Sequence, residues 1–579
     1  MSNNLVSLNV NPCKMCMPMG AVSALCGIKG CMSILHGSQG CATYIRRHMA
    51  THYNEPVDIA SSSLTEEGTV FGGEANLLKG LRNMIDLYAP EVIGVCTTCL
   101  AETIGEDVNA IIKNFHEQNA QNSVKIINNV KIINIASPGY GGTQNEGWFI
   151  ALRAILEQIE PNMTPNGKIN IITPQISPAD TRWLKSFLRE MGVTYILLPD
   201  LSDNLDGATE KKYHRLKTGG TSLADIAAMA GAQLTIEFSE FTSEKNSPAE
   251  YLKEAYGVPF IKLPLPLGIR GMEQLLDTLT GAGAVISDET IKERGRYLDA
   301  MVDSHKHCAR ARAAVFGEPD FVAAIVRLCA ENGILPVLAA TGSISPTLRE
   351  MLSRETAECA ITVLDDSDFA AIEQVCIEKK ANLLIGSSDG RRIAGKLDIP
   401  LIRCAFPIHD HIGGQRVRIL GFEGSLNILD RAANAMIDKT ETGFRGELYD
   451  RFYKAQEKNN EADKCRRFAV ASTTGAIVDL HFGHADKFYI YESDETATRL
   501  VETRSVSKYC DGSAADKEDK WESVIRAVAD CDAVLALRIG PTPEKRLQEN
   551  GIYVITTYER VETAVNQAAQ EIRDQAGQT

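Results

Sequence analysis

The sequence predicts an α/β protein made of repeated doubly wound units, and two observations carry that reading. Short β-rich runs alternate with amphipathic helical stretches along nearly the whole chain. Most of those runs are continuously apolar and bounded by polar, Gly or Pro residues, the pattern of strands buried on both faces of a parallel sheet.

The strands expected in order are EVIGVC (91–96), KIINIA (131–136), KINIIT (168–173), TYILLP (194–199), QLTIEF (233–238), ILPVLAA (334–340), AITVLD (360–365), NLLIG (382–386) and RVRILG (416–421). Helical patterns lie between them. In ADTRWLKSFLREMG (179–192), Trp183, Phe187 and Leu188 recur at helical spacing, and Gly192 ends the run. The expected domains are 1–160, 161–300 and 301–445. A polar stretch, KAQEKNNEADKCRR (454–467), marks a linker placed at 446–466. A further α/β unit over 467–579 opens with RFAVAST and contains KFYIYES, DAVLALRIG and IYVITT as strands.

Composition narrows the function. The chain has 579 residues with 60 Lys+Arg against 75 Asp+Glu, a net charge of −15, which disfavours nonspecific nucleic-acid binding. With 44% hydrophobic and 23% charged residues it reads as globular rather than disordered. Its apolar runs are too short to cross a bilayer and its N-terminus lacks a signal-peptide pattern, so a soluble, cytoplasmic protein is expected.

Fifteen cysteines without a secretion signal argue against a disulfide framework. Scattered ones such as Cys329 read as core residues. The clustered ones fall in turn-rich segments: NPCKMCMPMGA (11–21), LHGSQGCATY (35–44) and GVCTTCLAETIGED (94–107). Cys16, Cys41 and Cys99 are 25 and 58 residues apart, unlike a zinc finger or a bacterial ferredoxin run. Each is expected in a loop or at a strand end, where open α/β sheets assemble their sites. Thiolates suit iron–sulfur clusters, and Gly37, Gly40 and Gly105 would let backbone amides approach one. Two CxxC pairs, Cys13/Cys16 and Cys96/Cys99, keep a four-cysteine zinc site or a redox dithiol open, although no helix N-terminus is evident at either.

These motifs, together with HYNEPVDIASSSLTEEGTVFGGEANL (52–77), ASPGYGGTQNEG (136–147), LLPDLSDNLDG (197–207) and GFEGSLNILDRAAN (421–434), resemble the β-type branch of the nitrogenase component 1 family. The resemblance covers about residues 1–440 and implies three Rossmann-like domains. It also implies that Cys16, Cys41 and Cys99 are metal ligands facing a partner chain, holding a [4Fe–4S] cluster or part of a P-cluster-type cluster. Cys13 and Cys96 lie outside the common motif, and Ser137 falls near a position where some β subunits offer a serine oxygen. RFAVASTTGAIVDLHFGHADKFYIYE (467–492), SVSKYC (505–510) and DAVLALRIGPTP (532–543) are similar to the NifX/NifB C-terminal family. That likeness implies a small ribonuclease-H-like domain binding iron–molybdenum cofactor or its precursor transiently, with His481, His484, Cys510 and Arg538 as candidate contacts.

Within the family the expectation is a NifN-like subunit of a cofactor-maturation scaffold. The chain starts almost directly at its first cysteine motif and carries its own carrier domain. Its partners would be a NifE-like α-type subunit in a heterotetramer, the nitrogenase iron protein and a precursor-donating NifB-like protein. A catalytic β-type subunit of a nitrogenase or related reductase is the alternative, favoured by retention of all three cysteines, and a non-catalytic storage or carrier protein is another. IGSSDG (385–390) reads as a packing loop before a phosphate cradle, and His409, Asp410 and His411 as a surface loop before a metal site.

Overall fold

In the computed structural model, residues 12–121, 130–209, 212, 214–356, 361–449, 465–494, 497–509 and 517–576 are described. The chain divides into two compact units, residues 1–439 and 440–579.

The first unit contains three parallel sheets. Strands β1 (Cys31–His36), β2 (Ile59–Ser61), β3 (Val92–Thr97) and β4 (Lys131–Ile135) order as β2-β1-β3-β4. Strands β5 (Ile169–Ile172), β6 (Tyr195–Leu198), β7 (Leu234–Glu237) and β8 (Phe260–Lys262) order as β6-β5-β7-β8. Strands β9 (Arg312–Phe316), β10 (Leu335–Ala340), β11 (Thr362–Leu364), β12 (Leu383–Gly386) and β13 (Leu401–Arg403) order as β11-β10-β9-β12-β13. Central β3, β5 and β12 are buried at every position, as their continuous apolar runs require. The helix Pro178–Glu190 forms as expected. Ser177 Oγ accepts the Asp180 N–H at 2.9 Å, Gly192 takes the left-handed conformation, and Trp183 stacks on Phe187 at 5.2 Å.

RVRILG (416–421) is not a strand. A 3-10 turn ends at Arg416, and a helix, Gly421–Tyr449, begins at Gly421. The amides of Ile419 and Leu420 donate to Asp180 Oδ1 at 2.8 and 2.9 Å, and Ser177 Oγ donates to the Val417 carbonyl at 2.7 Å. The segment thus spends its backbone polarity on the start of another helix, which satisfies it without a neighbouring strand. The helix also runs past residue 445, where the linker was expected; residues 450–464 lie outside the described part. Six strands escaped the reading: β1, β2, β8, β9, β13 and the solvent-facing edge strand described next. Three of them have only three residues, and in β1 (CMSILH) the polar Ser33 and His36 interrupt the apolar run.

The second unit holds a mixed sheet. Strands β14 (Arg466–Val470), β15 (Lys487–Ser493) and β16 (Thr498–Ser505) form an antiparallel meander, and β17 (Ala533–Ala536) and β18 (Tyr553–Thr556) extend it in parallel beyond β14. One face packs Phe482, Phe488, Trp521 and Val528; the other packs Phe468, Val478, Val561 and Val565. No helix among the described residues is long and apolar enough to cross a membrane.

Candidate functional site

Three segments bring Cys16, Cys41 and Cys99 together at the carboxyl ends of the first sheet. Cys41 lies in the helix Gln39–Tyr53 that follows β1. Cys99 opens the helix Cys99–Thr103 directly after β3. Cys16 caps the start of the helix Met17–Leu25, whose Pro18 suits the first turn. Both Cys16 and Cys99 therefore sit at helix starts, contrary to the sequence expectation.

Cys16 comes from outside the sheet and is held by the loop after β4. It pairs in an antiparallel bridge with Thr143, and the Gln144 amide donates to the Met15 carbonyl at 3.0 Å. The helix Met17–Leu25 then lies directly on the helix Gln144–Gln158. A Cβ on Gly20 would come within 1.8 Å of the Gln144 carbonyl oxygen, and one on Gly147 within 1.9 Å of that of Met17. Only glycine permits this approach.

Cys16 and Cys99 are exposed and Cys41 is half-buried. Desolvation raises the Cys16 thiol above its usual range, the Met19 amide opposes this, and the neighbouring Cys41 and Cys99 push it further up. Ser38 Oγ is 3.7 Å from Cys41 Sγ. The Gly139 N–H donates to Cys99 Sγ at 3.2 Å, and a Cβ on Gly139 would lie 3.1 Å from that sulfur and 3.8 Å from Cys16 Cβ.

Two of the three glycines expected near the cysteines make other contacts. The Gly37 amide donates to Ser62 Oγ and its open side accommodates Thr98; the Gly105 amide donates to the Glu102 carbonyl. Nor does Ser137 face the thiols. It is fully buried, and its hydroxyl donates to the Thr97 carbonyl at 3.0 Å.

The two CxxC pairs are split by burial. Cys13 packs in the core around β9 and β10, and its amide donates to the Ser367 carbonyl. Cys96 is fully buried in β3. Burial drives both thiols far up. Neither can act with its exposed partner as a redox dithiol. Among the described residues, no three His, Cys, Asp or Glu side chains are placed to hold a single metal ion. Cys308, Cys329, Cys376, Cys404 and Cys531 are buried.

In the second unit, His481, His484 and Arg538 come together while Cys510 lies outside the described residues. A 3-10 turn, Phe482–His484, follows His481, whose Nδ1 accepts the Gly483 N–H at 3.1 Å. The two imidazoles are 5.0 Å apart. His481 bridges to Arg538 through the backbone, and the Phe482 amide donates to the Arg538 carbonyl. Desolvation, His484 and Arg538 each lower the His481 pKa. The neutral ring favoured there can ligate a metal or accept a hydrogen bond. His484 and Arg538 are exposed, so the turn presents a donor-rich, cationic edge to solvent.

The other sequence signals are structural. Arg403 holds Asp410 through both carboxylate oxygens, with Ser388 as a further donor. The His409 amide donates to Ser388 Oγ, and Ser387 caps the Asp389 amide, so IGSSDG is a packing loop tied to the 409–411 segment.

A feature not foreseen is a cavity of about 80 Å³ where elements following all three sheets meet, lined by Tyr53, Trp148, Gln175, Asp180, Glu318 and Asp320 among others. Burial pushes Glu318 up to about 8, reinforced by the Glu146 carboxylate, and Asp320 up to about 7. A carboxyl whose folded pKa lies above its unfolded value takes up a proton on folding. Stability therefore falls as pH rises from about 4.5 toward 8, by up to about 1.4 kcal/mol per pH unit for each such group. Glu318→Gln removes that dependence, so its stability gain over the parent in urea denaturation is expected to be larger at pH 8 than at pH 5.

Known proteins are similar to this chain. Residues 16–437 match the nitrogenase component 1 type oxidoreductase family, and residues 464–571 match the dinitrogenase iron–molybdenum cofactor family. A nitrogenase molybdenum–iron protein beta chain from Methanococcus maripaludis is 36% identical over 442 residues, spanning 74% of this chain and 95% of its own. The beta chain of a vanadium–iron nitrogenase from Trichormus variabilis is 33% identical over 441 residues, spanning 74% and 94%. The structure of nitrogenase Cp1 at pH 6.5 superposes with a TM-score of 0.72 at 30% identity, covering 76% of this chain and 96% of that one. The chain thus belongs to the nitrogenase component 1 type oxidoreductase family, in its β-type subunit group, and carries a C-terminal domain of the dinitrogenase iron–molybdenum cofactor family.

Proposed function

We propose that this chain is a NifN-like subunit of a scaffold on which the nitrogenase iron–molybdenum cofactor is matured. The observation that carries the reading is the C-terminal domain of the dinitrogenase iron–molybdenum cofactor family, joined to a body whose exposed Cys16 and Cys99 and half-buried Cys41 lie beside Tyr44 and Tyr140, which are 64% and 67% exposed. Three soft donors fit an iron–sulfur cluster. Exposed thiols and tyrosines suit a site completed across an interface. The partner is a NifE-like α-type chain in a heterotetramer, with the nitrogenase iron protein and a NifB-like precursor donor acting on the assembly in the cytoplasm. The three-domain body spans 1–160, 161–300 and 301–445, and 467–579 is the carrier.

Cys16, Cys41 and Cys99 would hold a [4Fe–4S] or P-cluster-type cluster, which supplies electron transfer when bound. The chain's own residues supply the geometry: Thr143 and Gln144 hold Cys16 in place, and Gly139 donates to Cys99. His481, His484 and Arg538 would hold the anionic cofactor precursor at the carrier domain. A tethered carrier raises the local concentration of cofactor at the body, a benefit to assembly and a redundancy in a finished reductase. The names of the relatives, with the retained set of three thiols, favour a second reading as a catalytic β-type subunit.

Co-expression with an α-type partner, followed by metal analysis, EPR and acetylene reduction, separates the two. A [4Fe–4S] signal with bound precursor and negligible acetylene reduction is the expected result. Substantial turnover with a P-cluster-type signal sinks the scaffold reading, and zinc alone sinks both.

A further inference from the structure

We infer that the backbone N–H of Gly139 is a built-in donor to the Cys99 thiolate that raises the reduction potential of the cluster held there. The inference deepens the proposed function and rests on a cluster being bound at Cys16, Cys41 and Cys99. Three observations carry it. The N–H points at Cys99 Sγ at 3.2 Å. The loop bearing it is anchored on both sides. Ser137 is fully buried and bonded to Thr97 through its amide and its hydroxyl, and Thr143 bridges to Cys16 while bonding Ser343 at 2.7 Å. The side-chain position of Gly139 faces Cys99 and Cys16, where a Cβ would sit 3.1 Å from Cys99 Sγ and 3.8 Å from Cys16 Cβ.

The physical consequence follows from charge. Reduction places electron density on the cluster and its thiolate ligands, so a donor to sulfur stabilises the reduced form more than the oxidised one. Losing the donor lowers the potential. A missing side chain also leaves this loop without an oxygen ligand: Ser137 is turned away, and position 139 has none to give. This loop therefore gives the cluster an amide donor and no oxygen ligand.

Gly139→Pro and Gly139→Ala test this as a pair in the assembled complex. Both place a Cβ at the same point, but only proline removes the N–H. Redox titration followed by EPR should give a more negative midpoint potential for Gly139→Pro than for Gly139→Ala at equal iron content. Coincident potentials overturn the inference. A complex that binds no iron even with Gly139 intact overturns the cluster reading instead. The parent complex gives a measurement independent of either variant. With glycine labelled in 15N, ENDOR on the paramagnetic cluster should detect an exchangeable proton on a labelled nitrogen that is lost in D2O. Its absence refutes the donor even if Gly139→Pro does not assemble.

Discussion

Cys99→Ala is expected to remove most of the iron from the complex with an α-type partner, while Cys96→Ala, three residues earlier, leaves iron content unchanged. The contrast is set by burial and direction, not by sequence neighbourhood. Cys96 points into the sheet core and is fully buried, whereas Cys99 lies past the strand end, exposed, with its sulfur beside Cys16. Cys16→Ala and Cys41→Ala should behave like Cys99→Ala, and Cys13→Ala like Cys96→Ala. The two buried thiols carry only a packing cost, about 1 kcal/mol for the lost sulfur contacts. Iron analysis together with denaturation of the same proteins separates the roles. If Cys13 or Cys96 matters for iron as much as Cys99 does, the assignment of ligands is wrong.

Gly147→Ala is expected to destabilise the 1–439 unit by about 3 kcal/mol or more, the overpacking range for a buried contact that cannot relax cheaply. Its Cβ meets backbone, the Met17 carbonyl, rather than the flexible end of a side chain. The two helices must separate, and Cys16 moves with the first of them. Lower iron content should therefore accompany the lower stability. Gly20→Ala presses on the same contact from the other side, so the double variant should cost less than the sum of the singles. Gly40→Ala is the control. It lies in a helix beside Cys41, but its Cβ meets only Ser38 Oγ at 3.9 Å, so its effect should stay within about 0.5 kcal/mol. Urea denaturation of the four proteins checks the order.

Much of the fold was legible because burial on both faces of a parallel sheet demands continuous apolar runs, as in IGVC of β3 or INII of β5. RVRILG satisfied the same pattern and was misread. Its amides are taken by Asp180, which lies more than 230 residues earlier in the chain, and no local pattern encodes that bond. The three-residue strands β2, β8 and β13 failed for the opposite reason, since their pairing depends on a neighbouring sheet edge rather than on their own composition.

The site divides in the same way. Residue order and the family resemblance singled out Cys16, Cys41, Cys99, His481, His484 and Arg538, because motifs are a local property of sequence. The glycine that faces the sulfurs was a different matter. Gly37, Gly40 and Gly105 are near the cysteines in sequence, whereas Gly139 is 40 residues from Cys99 and reaches it only because β3 and β4 are neighbours in the sheet. By itself, the sequence determined the α/β fold class and which cysteines lie in turn-rich segments. The tertiary structure decided which thiols meet, which are buried, and which amide serves them. Hydrophobic periodicity is written locally, but convergence of side chains depends on sheet order and on backbone contacts as close as that of Gly20 with Gln144.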